Sequence, residues 1–212
     1  MLLHIFNSSK KQISFLAKSG ITLLILVGFS SLARRYLQID NWALNVFGAR
    51  DNPYLNFCSR ISYIMGDTHI AGTVVAISLI GMIWLKYYKE AIAFAFATSG
   101  ILILVDEILK PFFDRNRPPK PRLVEDVSRH SFPSGHAAGN VVLYFYLAFI
   151  VATKYPHLKV YVYSIATIIV IAIGFASVYT KAHWLTDVLA GYVFGYLWLM
   201  VSLYLLKFLE RK

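Results

Sequence analysis

Three short polar clusters in this 212-residue chain contain the side-chain types that phosphate chemistry requires. They are Lys110-Pro-Phe-Phe-Asp-Arg-Asn-Arg117-Pro118, Pro133-Ser134-Gly135-His136 and His183-Trp-Leu-Thr-Asp187. Cations can bind phosphate oxygens while one histidine attacks phosphorus and a second protonates the leaving oxygen. The clusters suit a metal poorly, because a single carboxylate accompanies the two histidines. Their composition therefore predicts phosphoryl transfer.

The first cluster carries two cations at helical spacing. Lys110 and Arg117 are seven residues apart, so on a helix they would share one face. Two cations on one face favour an anion between them, although basic residues also extend toward water at helix ends without binding anything. Asp106 lies four residues before Lys110, and a carboxylate within a span is costly unless paired. We therefore predict an ion pair between Asp106 and Lys110.

The second cluster has the form of a helix start. Ser134 stands where an N-cap belongs, and Gly135 allows a ligand to approach the backbone. The free N–H groups of a helix start bind anions, and His136 would lie beside such an anion in the first turn. The alternative is an ordinary cap next to an interfacial histidine.

The third cluster pairs a histidine with a carboxylate. His183 and Asp187 are four residues apart and would stack on one helix face, where Asp187 can select the tautomer of the imidazole. The alternative is a His–Asp pair that only secures a helix end. Among the other histidines, His130 is a weaker candidate for the site.

The elements that must position these clusters are membrane helices. Hydrophobic residues make up 58% of the chain and charged residues 15%, which excludes disorder and leaves too few charges to cover a soluble domain. The 21 Lys and Arg are scattered between apolar runs, which argues against a nucleic-acid partner. The single Cys58 excludes an intramolecular disulfide. We predict an all-α, single-domain, six-helix transmembrane bundle over 1–212, with spans near 13–34, 68–85, 91–109, 136–153, 160–178 and 185–206.

Six spans place the three clusters on the same membrane face. A secretory signal peptide is the alternative for the first span, and the segment 35–67 has the aromatic and polar composition of a headgroup-region segment.

With the N-terminus inside, ten basic residues lie inside and eleven outside, so the raw count of basic residues gives no orientation. Setting aside Lys110, Arg115, Arg117 and Lys181 as phosphate ligands leaves ten against seven. The prediction is therefore cytoplasmic termini.

The pattern Lys-x6-Arg-Pro, Pro-Ser-Gly-His and His-x3-Asp across residues 110–187 resembles the type 2 phosphatidic acid phosphatase family. The resemblance implies a six-helix, metal-independent membrane phosphatase without a cofactor. It implies that His183 is the nucleophile and forms a phosphohistidine, that Asp187 orients it, and that His136 is the general acid. Lys110, Arg117, Ser134 and the Gly135 backbone would bind the phosphate. The compact chain suggests a bacterial inner-membrane protein with its site on the periplasmic face.

One motif departs from the family pattern. The third family motif begins Ser-Arg, and here Ala176 and Ser177 occupy those positions, so one phosphate-binding cation is missing. Either Lys181 or Arg115 could compensate, and we predict Lys181, which would lie one turn after Ser177 on a continuing helix. Loss of such a contact costs about 2–4 kcal/mol in a transition state.

The expected partners are the bilayer and a phospholipid or isoprenoid-phosphate substrate. Candidate substrates are an isoprenoid pyrophosphate, phosphatidylglycerophosphate, phosphatidic acid or a lipid A phosphate. One alternative passes the phosphate to a second lipid instead of water. Another is a catalytically weak family member that binds phospholipid headgroups in transport or as a scaffold, which the missing arginine favours and the intact His136, His183 and Asp187 oppose.

Overall fold

The computed structural model describes residues 38–48, 52–124 and 128–211, and this part of the chain is helical. In chain order the helices are α1 (Gln38–Phe47), α2 (Pro53–Met65), α3 (Thr68–Trp84), α4 (Tyr88–Leu102), α5 (Gly135–Lys154), α6 (Lys159–Tyr179) and α7 (Leu185–Glu210). Helix α4 continues through a π-helical stretch (Ile103–Leu109) and a last turn (Lys110–Phe113). A short 3-10 turn (Pro156–Leu158) precedes α6.

Four of these helical stretches are long and apolar enough to cross a bilayer, namely Tyr88–Phe113, Gly135–Lys154, Pro156–Tyr179 and Leu185–Glu210. They coincide with the four predicted spans from 91 onward. The predicted span 68–85 corresponds to α3, which reaches spanning length only together with α2 across a 48° bend. The predicted span 13–34 lies outside the described residues, so the count of six remains a prediction.

Helix α5 packs at the centre of the bundle, between α4, α6 and α7. Its Val142 and Tyr146 are fully buried and pack with Phe94 of α4 and Leu203 of α7. The Tyr146 hydroxyl donates to the carbonyl oxygen of Glu90 at 3.0 Å, which satisfies the polar end of a buried ring. Because α5 begins at the predicted Ser-Gly-His cluster, this packing fixes where that cluster lies.

Small residues let α7 approach α5 closely near the same end. A Cβ on Gly191 would lie 2.6 Å from the carbonyl oxygen of Ser134, and one on Gly195 would lie 2.6 Å from that of Ala138. Both distances are too short for a carbon and an oxygen, so only glycine fits at this crossing. The backbone N–H of Ser134 also donates to the carbonyl oxygen of Asp187 at 3.0 Å. The starts of α5 and α7 are therefore joined directly.

Helix α4 ends within the first cluster, of which only Lys110–Phe113 is helical. Asp114 is left-handed, with φ of 42°, and terminates the helix after Phe113. Arg117 precedes Pro118, and a residue before proline disfavours the α conformation. The spacing of Lys110 and Arg117 predicts that they share one helix face, and the structure shows that they do not. Lys110 lies on the helix and Arg117 lies in the loop that follows.

Candidate active site

His183 is held in one tautomer by its two hydrogen-bond partners. Its Nδ1 lies 2.8 Å from the backbone carbonyl oxygen of Ser131, and its Nε2 lies 3.2 Å from Nη1 of Arg117. A carbonyl oxygen can only accept and a guanidinium can only donate. Nδ1 therefore carries the ring proton, and the lone pair of Nε2 points to a cationic group.

The same surroundings keep the imidazole uncharged. His183 is 1% exposed, and burial lowers its pKa well below the ordinary value of 6.5. The charges of Arg117 and Lys110 lower this pKa further. Burial also lowers the pKa of Arg117, but a guanidinium starts from so high a value that it stays charged. A neutral imidazole therefore lies beside a permanent cation, the combination that a nucleophile for phosphate requires.

The guanidinium of Arg117 is fixed from behind by backbone groups. Its Nη1 donates to the carbonyl oxygen of Ala182 at 2.6 Å, and its Nε donates to that of Ser128 at 2.5 Å. Its Nη2 lies 3.1 Å from the hydroxyl oxygen of Ser128. The bond to Ala182 connects the loop that follows Phe113 to the turn before α7, and the bonds to Ser128 brace the loop itself. They hold the positive charge of the guanidinium beside Nε2 of His183, where a phosphate would meet that nitrogen.

Asp187 makes a different set of bonds from the one that its spacing predicts. Its Oδ2 lies 3.6 Å from Nδ1 of His183, too far for a hydrogen bond, and accepts from the backbone N–H of Trp184 at 2.9 Å. Trp184 is extended, so His183 lies ahead of α7 and does not stack on Asp187 within it. Ser131 is thus the direct acceptor for His183, and Asp187 is a nearby negative charge.

His136 lies opposite His183. Ser134 is the N-cap of α5, as predicted, and its side-chain oxygen accepts from the backbone N–H of Ala137 at 3.3 Å. The His136 ring stacks on Tyr63 with 4.2 Å between ring centroids, and its centroid lies 6.4 Å from that of His183. Its Nε2 is buried and has no hydrogen-bond partner within the described residues. This nitrogen is therefore available to a bound substrate.

Lys110 lies close to the start of α5. A Cβ on Gly135 would lie 3.6 Å from Nζ of Lys110, so the ammonium group is next to the backbone of the first turn. The predicted ion pair is confirmed, with Nζ of Lys110 at 2.5 Å from Oδ1 of Asp106. Asp106 belongs to the π-helical stretch of α4, and such stretches often occur at functional sites.

These groups surround one cavity of about 640 Å³. The residues at its polar end are Lys110, Arg117, Gly135, His136 and His183, and His130 also lines it. Its apolar wall comes from α3, α4 and α5, with the side chains Ala71, Val75, Ile101, Leu102 and Leu143. A cationic, polar end that continues into an apolar groove suits a lipid with a phosphorylated headgroup. Ser134, a predicted phosphate ligand, is fully buried and does not line the cavity, and its side chain is used in the cap of α5.

Lys181 does not line this cavity. Helix α6 ends at Tyr179, and Lys181 is left-handed, with φ of 59°, so it does not lie one turn after Ser177 on a continuing helix. Its Cε lies 3.2 Å from the position that a Cβ on Gly48 would occupy, near the end of α1. Its position therefore gives no support to the prediction that Lys181 replaces the missing arginine.

Arg115 does not replace that arginine either. Its Nη1 donates to Oδ1 of Asp187 at 2.6 Å, and its Nη2 donates to Oδ2 of Asp40 at 2.6 Å. Ser177 itself is fully buried, and its hydroxyl donates to the carbonyl oxygen of Ile173 at 2.9 Å. Lys110 and Arg117 are therefore the lysine and arginine that line the cavity within the described residues.

Sequence reasoning missed four contributors to this arrangement. Ser131 binds His183 through its backbone carbonyl, so its residue type does not indicate this role. Asp40 and Tyr63 come from the 35–67 segment, where nothing in their spacing distinguishes them from interfacial residues. Asn140 donates to the carbonyl oxygens of Gly66 and His136 and so ties α2 to α5. A buried polar side chain one turn after a predicted site histidine was the available signal.

Comparison with known proteins agrees with this geometry. Residues 84–211 match the family model described as the PAP2 superfamily. The chain is 31% identical over 155 residues to phosphatidylglycerophosphatase B of Bacillus subtilis (strain 168), covering 68% of this chain and 72% of that protein. Its fold is similar to the crystal structure of a transmembrane PAP2-type phosphatidylglycerolphosphate phosphatase from Bacillus subtilis, with a TM-score of 0.74 and 24% identity. That alignment covers 91% of this chain and 95% of the other.

Proposed function

Because this chain belongs to the PAP2 superfamily, we propose that it is an integral-membrane lipid phosphatase that works through a phosphohistidine. The observation that carries the proposal is the arrangement of two histidines across one cavity. Nε2 of His183 is unprotonated beside Arg117, and Nε2 of His136 is unpartnered within the described residues, with the ring centroids 6.4 Å apart. A phosphoryl group between the rings would have a nucleophile on one side and a proton donor on the other.

In the first half-reaction, Lys110, Arg117 and the N–H groups at the start of α5 bind the phosphate oxygens. Nε2 of His183 forms a bond to phosphorus while the bond from phosphorus to the lipid oxygen breaks. His136 gives its proton to that leaving oxygen, since the negative phosphate favours an imidazolium beside it. The ring of His183 keeps its Nδ1 proton toward Ser131 and therefore becomes cationic as the new bond forms.

In the second half-reaction, water attacks the phosphohistidine. His136, now neutral, takes a proton from that water, and the bond between phosphorus and Nε2 breaks. Inorganic phosphate leaves and both rings return to their starting state. A hydroxyl of a second lipid in place of water would give the phosphotransferase alternative by the same steps. Every step uses side chains of this chain, which is why we propose that the reaction is independent of a metal.

The substrate that we propose first is phosphatidylglycerophosphate. The reason is the similarity to a protein named phosphatidylglycerophosphatase B. The cavity adds a chemical reason, because Asp106 and Glu107 also line it. Carboxylates near a phosphate site accept hydrogen bonds from hydroxyl groups and repel additional negative charge. A glycerol headgroup with a single terminal phosphate suits that environment better than a pyrophosphate does.

A lipid-binding protein with weak activity is the second candidate. It is favoured by buried Ser177 at the position of the family arginine, with neither Lys181 nor Arg115 directed at the cavity. Two cations instead of three would weaken transition-state stabilisation by about 2–4 kcal/mol. This lowers the rate without removing the nucleophile or the acid. The enzyme therefore remains the first proposal.

The test is phosphate release by the purified full-length protein in detergent with EDTA. The panel contains phosphatidylglycerophosphate, phosphatidic acid, an isoprenoid pyrophosphate and a lipid A phosphate. We expect release from at least one lipid, and His183→Ala should reduce it to background. His157→Ala is the matched control, because His157 is exposed in the 3-10 turn at the opposite end of the helices. Equal release by His183→Ala and the parent would refute the mechanism, and no release by the parent would favour the lipid-binding candidate.

We also propose that the protein lies in a bacterial inner membrane with cytoplasmic termini and the cavity on the periplasmic face. Setting aside Lys110 and Arg117, the two cations that line the cavity, leaves ten basic residues inside and nine outside, a small excess in favour of this orientation. Lys120 is exposed in the loop that carries Arg117, which lines the cavity. A Lys120→Cys variant in a Cys58→Ser background should react with a membrane-impermeant maleimide on intact cells. Labelling only after cell lysis would reverse the orientation.

A further inference from the structure

Arg115 bridges two buried carboxylates from distant parts of the chain. Its Nη2 donates to Asp40 of α1 and its Nη1 donates to Asp187 of α7, each at 2.6 Å. Nη1 also lies 2.7 Å from the hydroxyl oxygen of Thr186. Both carboxylates are fully buried, and the Arg115 side chain is 10% exposed. Such a bridge is costly to bury unless every group is bonded, as it is here.

Asp40 also anchors the start of α7. Its Oδ1 accepts from the backbone N–H of Thr186 at 2.9 Å, and its Oδ2 accepts from the Thr186 hydroxyl at 2.8 Å. Helix α1 is therefore tied to the residue next to Asp187. In α1, apolar side chains such as Trp42 are exposed, whereas the carboxylate of Asp40 in the first turn is fully buried. This is the reverse of the usual distribution of apolar and charged side chains.

The charge balance of this cluster explains why two carboxylates share one cation. Asp187 and Arg115 alone would form a neutral pair and would present little field to the nearby ring. With Asp40 included, the three groups carry a net charge of −1. Oδ2 of Asp187 lies 3.6 Å from Nδ1 of His183, so this surplus negative charge is next to the nucleophile. A negative charge there stabilises the cationic ring more than the neutral ring.

We propose that Asp40 is a positioning residue for the phosphatase reaction. Its carboxylate shares the positive charge of Arg115 with Asp187, so the negative charge of Asp187 is only partly neutralised. The remaining negative charge stabilises His183 when its Nε2 bonds to phosphorus and the ring becomes cationic. Asp40 touches neither substrate nor the reacting nitrogen and acts through Arg115, Thr186 and Asp187. This inference rests on the proposed function, since it concerns the same nucleophile.

Asp40→Asn is the informative variant, because the amide oxygen can still accept from the backbone N–H of Thr186 while the charge is removed. We expect kcat to fall about tenfold, the lower end of the loss of about 10–100-fold that follows removal of the hydrogen-bonding partners of metal-bound histidines. KM should stay close to the parent value, because Lys110 and Arg117 are untouched. Glu210→Gln is the control, since it removes one carboxylate from the exposed end of α7 and should leave both constants unchanged.

The outcomes separate this inference from the proposed function. An inactive parent would refute the proposed function. An active parent with unchanged kcat in Asp40→Asn, or with a raised KM at unchanged kcat, would overturn the role of Asp40. If Asp40→Asn does not yield a monodisperse protein in detergent, Thr186→Val replaces it, because it is nearly isosteric and removes only the hydroxyl that accepts from Arg115 and donates to Asp40. A lower kcat at unchanged KM supports the role, and a parent-like kcat overturns it.

Discussion

Gly191→Ala tests whether the contact between α5 and α7 sets the geometry of the active site. The added Cβ would lie 2.6 Å from the carbonyl oxygen of Ser134 and 2.8 Å from Cβ of Ala137. Ordinary contact begins at 3.4 Å, so the two helices must separate by about 0.8 Å at this point. Ser134 caps α5 and its N–H bonds to Asp187, so this separation moves the turn that we predict to bind phosphate away from the third cluster.

The size of the effect follows from that displacement. Overpacking of this kind costs about 1–3 kcal/mol of unfolding free energy, and replacing a helical glycine with alanine returns about 0.5–1 kcal/mol. We therefore expect a net loss of about 1–2 kcal/mol. Activity should fall much more, because a misplacement near 1 Å can lower a rate by about 10²-fold. Gly191→Ala should thus be folded but nearly inactive.

The assay is phosphate release in detergent, together with gel filtration and thermal unfolding of the same preparation. Gly81→Ala is the matched control, because a Cβ on this α3 glycine meets no atom within 4 Å in the described structure and Gly81 does not line the cavity. It should keep parent activity and be no less stable. Parent-like activity and stability in Gly191→Ala would refute the view that this crossing is rigid and positions the site.

Two further predictions follow from the site. Lys181→Ala should leave phosphate release unchanged, because Lys181 lies near Gly48 and away from the cavity, and a large loss would show that it reaches the phosphate. The pKa of His183 lies well below 6.5, so kcat/KM, corrected for the ionisation of the free lipid phosphate, should not decline until well below pH 6.5. Since only the unfolded state gains this proton, the contribution of His183 to unfolding free energy should fall as pH drops below 6.5. An acid limb with its midpoint at 6.5 or above in parent kcat/KM would contradict a neutral, buried His183.

Much of the architecture was predictable because it depends on local chain properties. The lengths of the apolar runs indicate spans, and the spans after residue 91 agree with the helices of the structure. Ser134 was identifiable as an N-cap from its place before an apolar run, and the pairing of Asp106 with Lys110 follows from a spacing of four. The helices alternate in direction, so their order alone brings the three clusters to one end of the bundle.

Other features required the folded chain because they depend on backbone turns and long-range packing. The sequence determined that His183, His136, Lys110 and Arg117 would share a membrane face, since side-chain type and helix order suffice for that. The tertiary structure decided the partners. The left-handed turn at Lys181 directs that side chain toward Gly48 and away from the cavity. The carbonyl of Ser131 orients His183, and Arg115 forms ion pairs with Asp40 and Asp187. Every residue has a backbone carbonyl, so the residue type does not show which carbonyl binds His183. Asp40 and Arg115 are 75 positions apart, so local spacing does not predict their contact.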